Sequence, residues 1–259
     1  MSAEESDGFV PVPEIGRVHQ GQRRVRLGDA SPGGRLRFDA LVRYLQDVAN
    51  DDTREAGFED AMGWVVRRTV IEVRQFPLYL EPIVLRTWCG GVGSRWAERR
   101  TQVVGEEGGL VEAATVWVHL DTDTMRPKVL PASFHELFGT AAQGRTVRAR
   151  LFHADGPSAE GTVAARHPFP LRFTDFDVLN HVNNAVYWEV VEEELARRRE
   201  LRAPLRAELE HRAPIEPGAV VEVVIEETAA GGALWLREAG TGSVYATATI
   251  EPAMTDPAH

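Results

Sequence analysis

The chain has 259 residues, of which 43% are hydrophobic, and its formal net charge is −10 at pH 7. This length allows one large domain or two modest ones, and the negative charge argues against general nucleic-acid binding. The single cysteine, Cys89, excludes an internal disulfide framework, and no apolar run approaches the ~20 residues that span a bilayer.

Sequence motifs for metals and cofactors are missing. No Cys and His spacing matches a zinc site, and the glycine-rich segment 90–94 lacks the lysine and the strand-to-helix context of a phosphate-binding loop. The acidic segment 1–7 lacks the pattern of a signal peptide. We therefore expect a cytoplasmic protein that uses neither a metal nor a cofactor.

The first half of the chain reads as a strand, a turn, a helix and a strand meander. Residues 1–20 show no periodicity and are predicted to form a mobile tail. Apolar residues from Leu36 to Val48 recur with a helical period, and this helix ends before Gly57. Strands are predicted over residues 23–27, 64–73, 83–88, 95–104 and 111–120.

The second half repeats that order. A strand over residues 168–173 precedes a helix over residues 185–202, for which Asn183 or Asn184 is a candidate N-cap. Later strands are predicted over residues 208–213, 220–227, 234–238 and 244–251. We therefore predict an α+β protein with domains over 21–140 and 167–259, joined by a connection over 141–166.

The densest polar stretch lies between the strand and the helix of the second half, over residues 175–187. A helix N-terminus offers N–H groups to a carboxylate or to the oxyanion of an attacked carbonyl. Asp177 can attack a carbonyl or deprotonate water, and His181 can orient or shuttle the proton. The alternative is that Asp177, Asn180 and Asn184 only make turn and cap hydrogen bonds. The density of polar groups favours a site.

This stretch, Asp-x-Asp-x-x-Asn-His-Val-Asn-Asn-x-x-Tyr, resembles the signature of hotdog-fold thioesterases. The whole chain resembles the double-hotdog acyl-ACP thioesterases of bacteria and plants, because segments 64–68, 76–79, 86–88 and 114–118 resemble that family's N-terminal domain in order and spacing. The resemblance implies a tandem hotdog, in which each half is a long helix wrapped by an antiparallel sheet. It also implies hydrolysis of fatty acyl-ACP.

Residue roles follow from the same resemblance. It implies catalytic roles for Asp177, His181 and Asn180, and substrate binding by Asn183 and Asn184.

Two positions depart from the family pattern. The family commonly has an asparagine two residues after the second aspartate, where this chain has Leu179. A glutamate and a cysteine of the family's C-terminal domain fall on Pro214 and Ile215. Glu216 is the candidate second acid, provided that its loop shifts.

The two halves align without a gap through the key turn. Residues 26–29 fall on residues 172–175, an offset of 175 − 29 = 146. Ser31, Gly34 and Arg35 then replace Asp177, Asn180 and His181. We predict that the C-terminal half supplies the chemistry and that the N-terminal half, with a degenerate site, binds the acyl chain. The predicted pocket residues are Leu41, Leu45 and Val66.

Acyl carrier protein and CoA are both anionic, so an acidic chain needs a local basic patch to bind either. The candidate carrier or phosphate contacts are Arg197, Arg198, Arg199, Arg202 and Arg206. A solvated helix end is the alternative. Other functions left open are an acyl-CoA thioesterase and a non-catalytic acyl-binding hotdog, whereas the His-Val-Asn-Asn segment disfavours a hotdog hydratase. Acyl chain length and oligomeric state, including a homodimer, are also open.

Overall fold

A computed structural model describes residues 9–58, 63–158, 163–228 and 231–253. The three α-helices of these residues are α1 (Phe38–Glu55), α2 (Ala132–Phe138) and α3 (Glu189–Arg197). The strands are β1 (Val18–Arg24), β2 (Trp64–Gln75), β3 (Pro82–Val92), β4 (Trp96–Gly105), β5 (Leu110–His119), β6 (Val163–Phe169), β7 (Leu205–His211), β8 (Val221–Glu227), β9 (Gly232–Glu238) and β10 (Val244–Pro252). No helix within the described ranges is long and apolar enough to span a membrane.

The ten strands form one antiparallel sheet in the order β1-β3-β4-β5-β2-β7-β10-β9-β8-β6. Each half contributes five strands, and the order within one half mirrors the order within the other. The halves meet at the antiparallel pair β2–β7, where Ile71 lies opposite Ala207. The structure thus confirms the predicted α+β class and the repeated strand order.

Helix α1 packs its apolar face on the first half of the sheet. Leu41, Leu45 and Val48 recur at helical spacing and are all buried. The ring of Phe38 at the start of α1 stacks on Trp188 from the second half, with centroids 5.6 Å apart. The two helix starts therefore pack against each other in the core.

The second helix is shorter than predicted. It begins with a 3₁₀ turn (Val186–Trp188), continues as α3 and leaves helical geometry at Arg198. Pro204 disfavours a helical conformation at the residue before it, and Leu201 must turn inward to be buried. The predicted helix over 185–202 was therefore too long at its C-terminal end.

Two predicted boundaries also differ from the structure. Strand β1 begins at Val18, inside the predicted tail, and strand β6 begins at residue 163, inside the predicted connection. Earlier residues of that connection cross the sheet, since Trp96 donates to the carbonyl of Val147 and Trp235 to that of Ala154. Residues 1–8 of the predicted tail lie outside the described residues, as do residues 229–230 and 254–259.

Candidate active site

The key turn of the second half is a copy of the turn before α1. A 3₁₀ turn at Leu27–Asp29 matches one at Phe173–Asp175, and an isolated bridge between Ala30 and Leu36 matches one between Phe176 and Val182. All these positions are related by the offset of 146 that was found in the sequence. The predicted alignment of the two halves is therefore confirmed at this turn.

Asp177 is held in place by its own turn. Its backbone N–H donates to the carbonyl of His181 at 3.0 Å, and its Oδ1 accepts the N–H of Leu179 at 2.9 Å. Burial, with smaller contributions from the charges of Tyr245 and Asp177, raises the pKa of Tyr187. The carboxylate is only partly exposed.

The imidazole of His181 does not contact the Asp177 carboxylate. Within the described part of the chain, the ring nitrogens of His181 make no hydrogen bond, and the ring is partly exposed. The turn therefore brings the acid and the imidazole to one loop while leaving their side chains separate.

The asparagines of the motif shape the backbone. Asn180 has a φ of +59°, in the left-handed region that asparagine tolerates, and the matching Gly34 has a φ of +82°. Asn183 Oδ1 accepts the N–H of Ala185 at 2.9 Å, as a helix cap does. Leu179, at the position of the family's asparagine, is 50% exposed.

The loop that carries an acid in the family presents an apolar residue here. Ile215 is fully buried, and its N–H donates to the hydroxyl of Tyr187 at 3.1 Å, while its carbonyl accepts the N–H of Val182. Pro214 and Glu216 are both exposed. The Glu216 carboxylate makes no hydrogen bond within the described residues, so Glu216 stays only a candidate second acid.

The first-half turn binds a side chain of the second half. Glu192 on α3 accepts two hydrogen bonds from the Arg35 guanidinium, at 2.7 and 3.0 Å. Its Oε2 also accepts the backbone N–H of Phe38 at 3.1 Å, at the start of α1. A carboxylate on the N-terminus of a helix is a favourable arrangement. This half therefore holds an internal carboxylate at the start of its long helix.

The same offset identifies the residue that faces the second-half site. Glu192 corresponds to Gln46 on α1 (192 − 146), and Phe38 corresponds to Asn184 (38 + 146). Gln46 and Asn184 line one cavity, which we call the α1 cavity. The neutral carboxamide of Gln46 thus lies where the symmetry would place the counterpart of the Glu192 carboxylate.

The α1 cavity lies between α1 and the inner faces of β2, β4, β5 and β7. Leu45 and Val66, two predicted pocket residues, line it. Leu41, the third, is 1% exposed and lies in the main core instead. A second cavity adjoins it through Ala49, Arg99 and Trp117 and continues along aromatic residues, which are Phe58, Trp64, Phe134 and Phe138.

His211, the last residue of β7, also lines the α1 cavity and was not singled out from the sequence. Its Nε2 is buried without a hydrogen-bond partner, and its ring packs edge-on to Tyr187 with centroids 4.7 Å apart. Burial, aided by the charge of Arg67, lowers the pKa of His211 to about 3. The available signal was strand periodicity, because Leu205, Ala207 and Leu209 share its inward face.

The five predicted carrier-binding arginines fall into two groups. Three already contact carboxylates, since Arg197 pairs with Glu194, Arg198 with Glu200 and Arg206 with Glu72. Arg199 and Arg202 are exposed and have no carboxylate partner among the described residues. These two are the better candidates for an anionic partner.

One side-chain group has the composition of a metal site. His153, Glu208 and Glu210 bring their ligand atoms within 4.8 Å of one another. The fully buried Glu210 already accepts the backbone N–H groups of Phe152 and His153, and the His153 ring contacts Thr247. These bonds hold Glu210 and His153 in place without an ion.

Comparisons with known proteins agree with the fold and identify a family. The acyl-ACP thioesterase N-terminal domain model matches residues 16–138, and the C-terminal domain model matches residues 158–251. An uncharacterised protein of Mycobacterium tuberculosis is 34% identical over 221 residues, which cover 85% of this chain and 86% of that protein. The chloroplastic palmitoyl-acyl carrier protein thioesterase of Gossypium hirsutum is 26% identical over 70% of this chain and 48% of the plant protein.

Solved structures show the same architecture. The 12:0-ACP thioesterase from Umbellularia californica has a TM-score of 0.73 at 20% identity and covers 94% of this chain and 98% of that chain. An acyl-ACP thioesterase from Bacteroides thetaiotaomicron has a TM-score of 0.71 at 18% identity and covers 90% and 97%. These likenesses confirm the predicted tandem hotdog fold.

Proposed function

The chain belongs to the acyl-ACP thioesterase family, and from that premise we propose that it hydrolyses fatty acyl-ACP to a free fatty acid and ACP. The observation that carries the proposal is the asymmetry of two matching turns. One turn presents Asp177 and His181 and leads to Asn184, which lines the α1 cavity, whereas the other presents Ser31 and an Arg35 that already binds Glu192. Only the second-half turn carries an acid and an imidazole at these positions.

The proposed reaction uses the second-half turn and the start of the following helix. Asp177 either removes a proton from water, which then attacks the thioester carbon, or attacks that carbon itself to give an anhydride that water cleaves. His181 gives a proton to the departing thiolate, and the proton that Asp177 took from water then passes to His181 through solvent, which restores both groups. Breaking the C–S bond and adding one water yields the acid and the thiol.

The developing oxyanion needs a donor, and the first half indicates where one lies. The backbone N–H of Phe38 binds a carboxylate oxygen of Glu192 at 3.1 Å. Asn184 occupies the matching place in the second half, so its N–H is the proposed oxyanion donor. Gln46 faces this position without adding a charge, which leaves the donor free for the substrate.

The test of this function is thiol release, followed with a thiol reagent, from acyl-ACP and acyl-CoA substrates of graded length. We expect turnover of acyl-ACP, with His181→Ala slower by ~10²–10⁴-fold. Equal turnover of acyl-CoA would make the chain an acyl-CoA thioesterase. Wild-type rates in His181→Ala would assign that residue a structural role.

A second test uses the symmetry of the two sites. Gln46→Glu would place a carboxylate where Glu192 lies in the first half, and we expect it to compete with the substrate oxyanion and to lower kcat/KM at least ~10-fold. Gln46→Met, which adds no charge, is the matched control and should stay near wild type. Equal rates in both variants would remove Asn184 from the proposed oxyanion site.

A non-catalytic acyl-binding protein is the second candidate, because the loop contributes Ile215 and Pro214 and the turn contributes Leu179. In that case a fatty acid or acyl-ACP would bind while no thiol appears. Binding measured beside thiol release separates the two functions.

A further inference from the structure

The interior of the first half carries a polar stripe that a fatty-acid pocket does not need. Thr69 and Thr115 lie opposite each other on β2 and β5, and their hydroxyl oxygens are 3.2 Å apart. Thr87 and Thr101 lie opposite each other on β3 and β4, with their hydroxyls at 3.1 Å. We call these four residues the threonine stripe.

The second half shows what the same places contain in a plain core. For the strands that follow the two helices, the offset between the halves is 138 and not 146. The matching residues Leu36 and Val182 donate to the carbonyls of Pro77 and Ile215, and 215 − 77 = 138. The threonine stripe then corresponds to apolar residues. The offset of 138 places Thr69 on Ala207 and Thr87 on Ile225. The strand pairs give the other two counterparts, because Thr115 and Thr101 lie opposite Thr69 and Thr87 as Ile250 and Leu234 lie opposite Ala207 and Ile225.

All four apolar counterparts are buried in the core of the second half. A hotdog half with this strand register therefore packs well with aliphatic groups at these positions. The threonines are not required by the fold, so their presence in the first half calls for a role in what this half binds.

Three members of the stripe, Thr69, Thr101 and Thr115, line the α1 cavity, together with Gln46 and His211. A hydroxyl has one proton and two lone pairs. Whichever hydroxyl of the Thr69–Thr115 pair donates to the other, one proton of that pair is left to donate. An unsubstituted alkyl chain in this cavity would cover these groups without replacing their hydrogen bonds, which is unfavourable.

We propose that the preferred acyl group carries an oxygen function, a hydroxyl or a keto group, that hydrogen-bonds to the threonine stripe. This inference rests on the proposed thioesterase function and specifies its substrate class. A site built to hydrogen-bond a substrate oxygen discriminates strongly against the analogue that lacks it, because its own polar groups are then left unpaired.

The experiment compares acyl-ACPs of one chain length, the unsubstituted chain against its hydroxy and keto positional isomers. We expect at least one oxygenated isomer to exceed the plain chain in kcat/KM by ~10-fold or more, the effect of one hydrogen bond. Thr115→Val and Thr101→Val keep the side-chain shape and should bring that ratio toward one. Thr247→Val removes a buried threonine that contacts His153, away from this cavity, and is the matched control.

The outcomes separate the inference from the function. Cleavage of plain chains with no oxygenated isomer preferred, or an unchanged ratio in both cavity variants, would overturn the inference and leave the thioesterase function standing. If no thioester is cleaved, calorimetric binding of the matching free acids decides. Tighter binding of the oxygenated acid by wild type, lost in Thr115→Val, supports the inference, and equal binding overturns it.

If a valine variant does not fold, Thr115→Ala is measured in its place.

Discussion

Arg35 and Glu192 form a bidentate salt bridge that joins the turn before α1 to α3, the helix that follows the candidate active site. The pair is mostly shielded from solvent, with side chains 21% and 11% exposed. Arg35 belongs to the first half and Glu192 to the second, so the pair links the two halves and also occupies the first-half turn.

Breaking this pair should destabilise the protein. Glu192→Gln leaves the Arg35 charge without its counter-ion, and we expect a loss of about 3 kcal/mol in the free energy of unfolding. Glu193→Gln removes an exposed carboxylate one residue away and should change stability little. Equal unfolding midpoints in denaturant for the two variants would show that the pair contributes no stability.

The two aspartates of the motif should separate activity from stability. Asp177→Asn keeps the side-chain shape and removes the charge, so we expect thiol release to be abolished at an unchanged melting temperature. Asp175 is buried and accepts the N–H of Arg172 at 2.7 Å. Asp175→Asn should therefore lower the melting temperature, which Asp177→Asn should leave unchanged. Near-normal turnover in folded Asp177→Asn would exclude Asp177 as the catalytic base or nucleophile.

Acyl chain length should respond to the α1 cavity rather than to the core. Leu45→Ala enlarges the cavity, and each extra methylene that it buries is worth up to ~0.8 kcal/mol, so longer acyl-ACPs should gain in kcat/KM. Leu41→Ala and Val190→Ala change buried residues outside the cavity and should cost ~2–5 kcal/mol of stability without shifting that preference. The ratio of kcat/KM for a long and a short acyl-ACP is the measurement. A shift in Val190→Ala alone would place the acyl pocket in the second half.

Recognition of the carrier should depend on Arg199 and Arg202. Reversing both charges to glutamate should raise KM for acyl-ACP with little change in kcat, and added salt should weaken the wild type in the same way. Arg54→Glu with Arg74→Glu makes the same change of charge at two exposed arginines of the first half. Equal KM values in the two double variants would show that the rise in KM comes from overall charge and not from contacts of Arg199 and Arg202.

His211 should make stability depend on pH. Its pKa is about 3 in the folded chain and ordinarily 6.5, so the unfolded chain binds more protons between these values. Stability therefore falls as pH decreases through that window, because burial, aided by the charge of Arg67, disfavours the imidazolium in the folded chain.

We expect wild type to lose up to ~1.4 kcal/mol per pH unit relative to His211→Phe between pH 6 and 4. The exposed His135, changed in the same way, is the control. Parallel unfolding curves for wild type and His211→Phe across this range would contradict the assignment.

The fold was largely predictable because short segments of the sequence mark its individual elements. The alternation of the strands, the period of α1 and the glycine at position 34 each mark an element within a few residues. The end of α3 was missed because a helical pattern continued past Arg198, where the burial of Leu201 and the constraint of Pro204 prevail.

The candidate site was predictable only in part. Asp177 and His181 lie on one turn and can be found from their spacing. His211, Gln46 and three residues of the threonine stripe reach the α1 cavity through long-range strand pairing and helix packing, and no short segment contains that information. The filling of the first-half site by Glu192 depends on a contact across 157 positions of the chain.

The junction of β2 with β7 has one more consequence, which concerns how such a protein can change. In an assembly of two identical chains with this geometry, a glutamate at the Glu192 position would also appear at the Gln46 position, and both sites would be closed together. Here the two positions are encoded separately, so a mutation alters one site and leaves the other as it was. Covalent linkage thus lets one site lose its chemistry while the other keeps it.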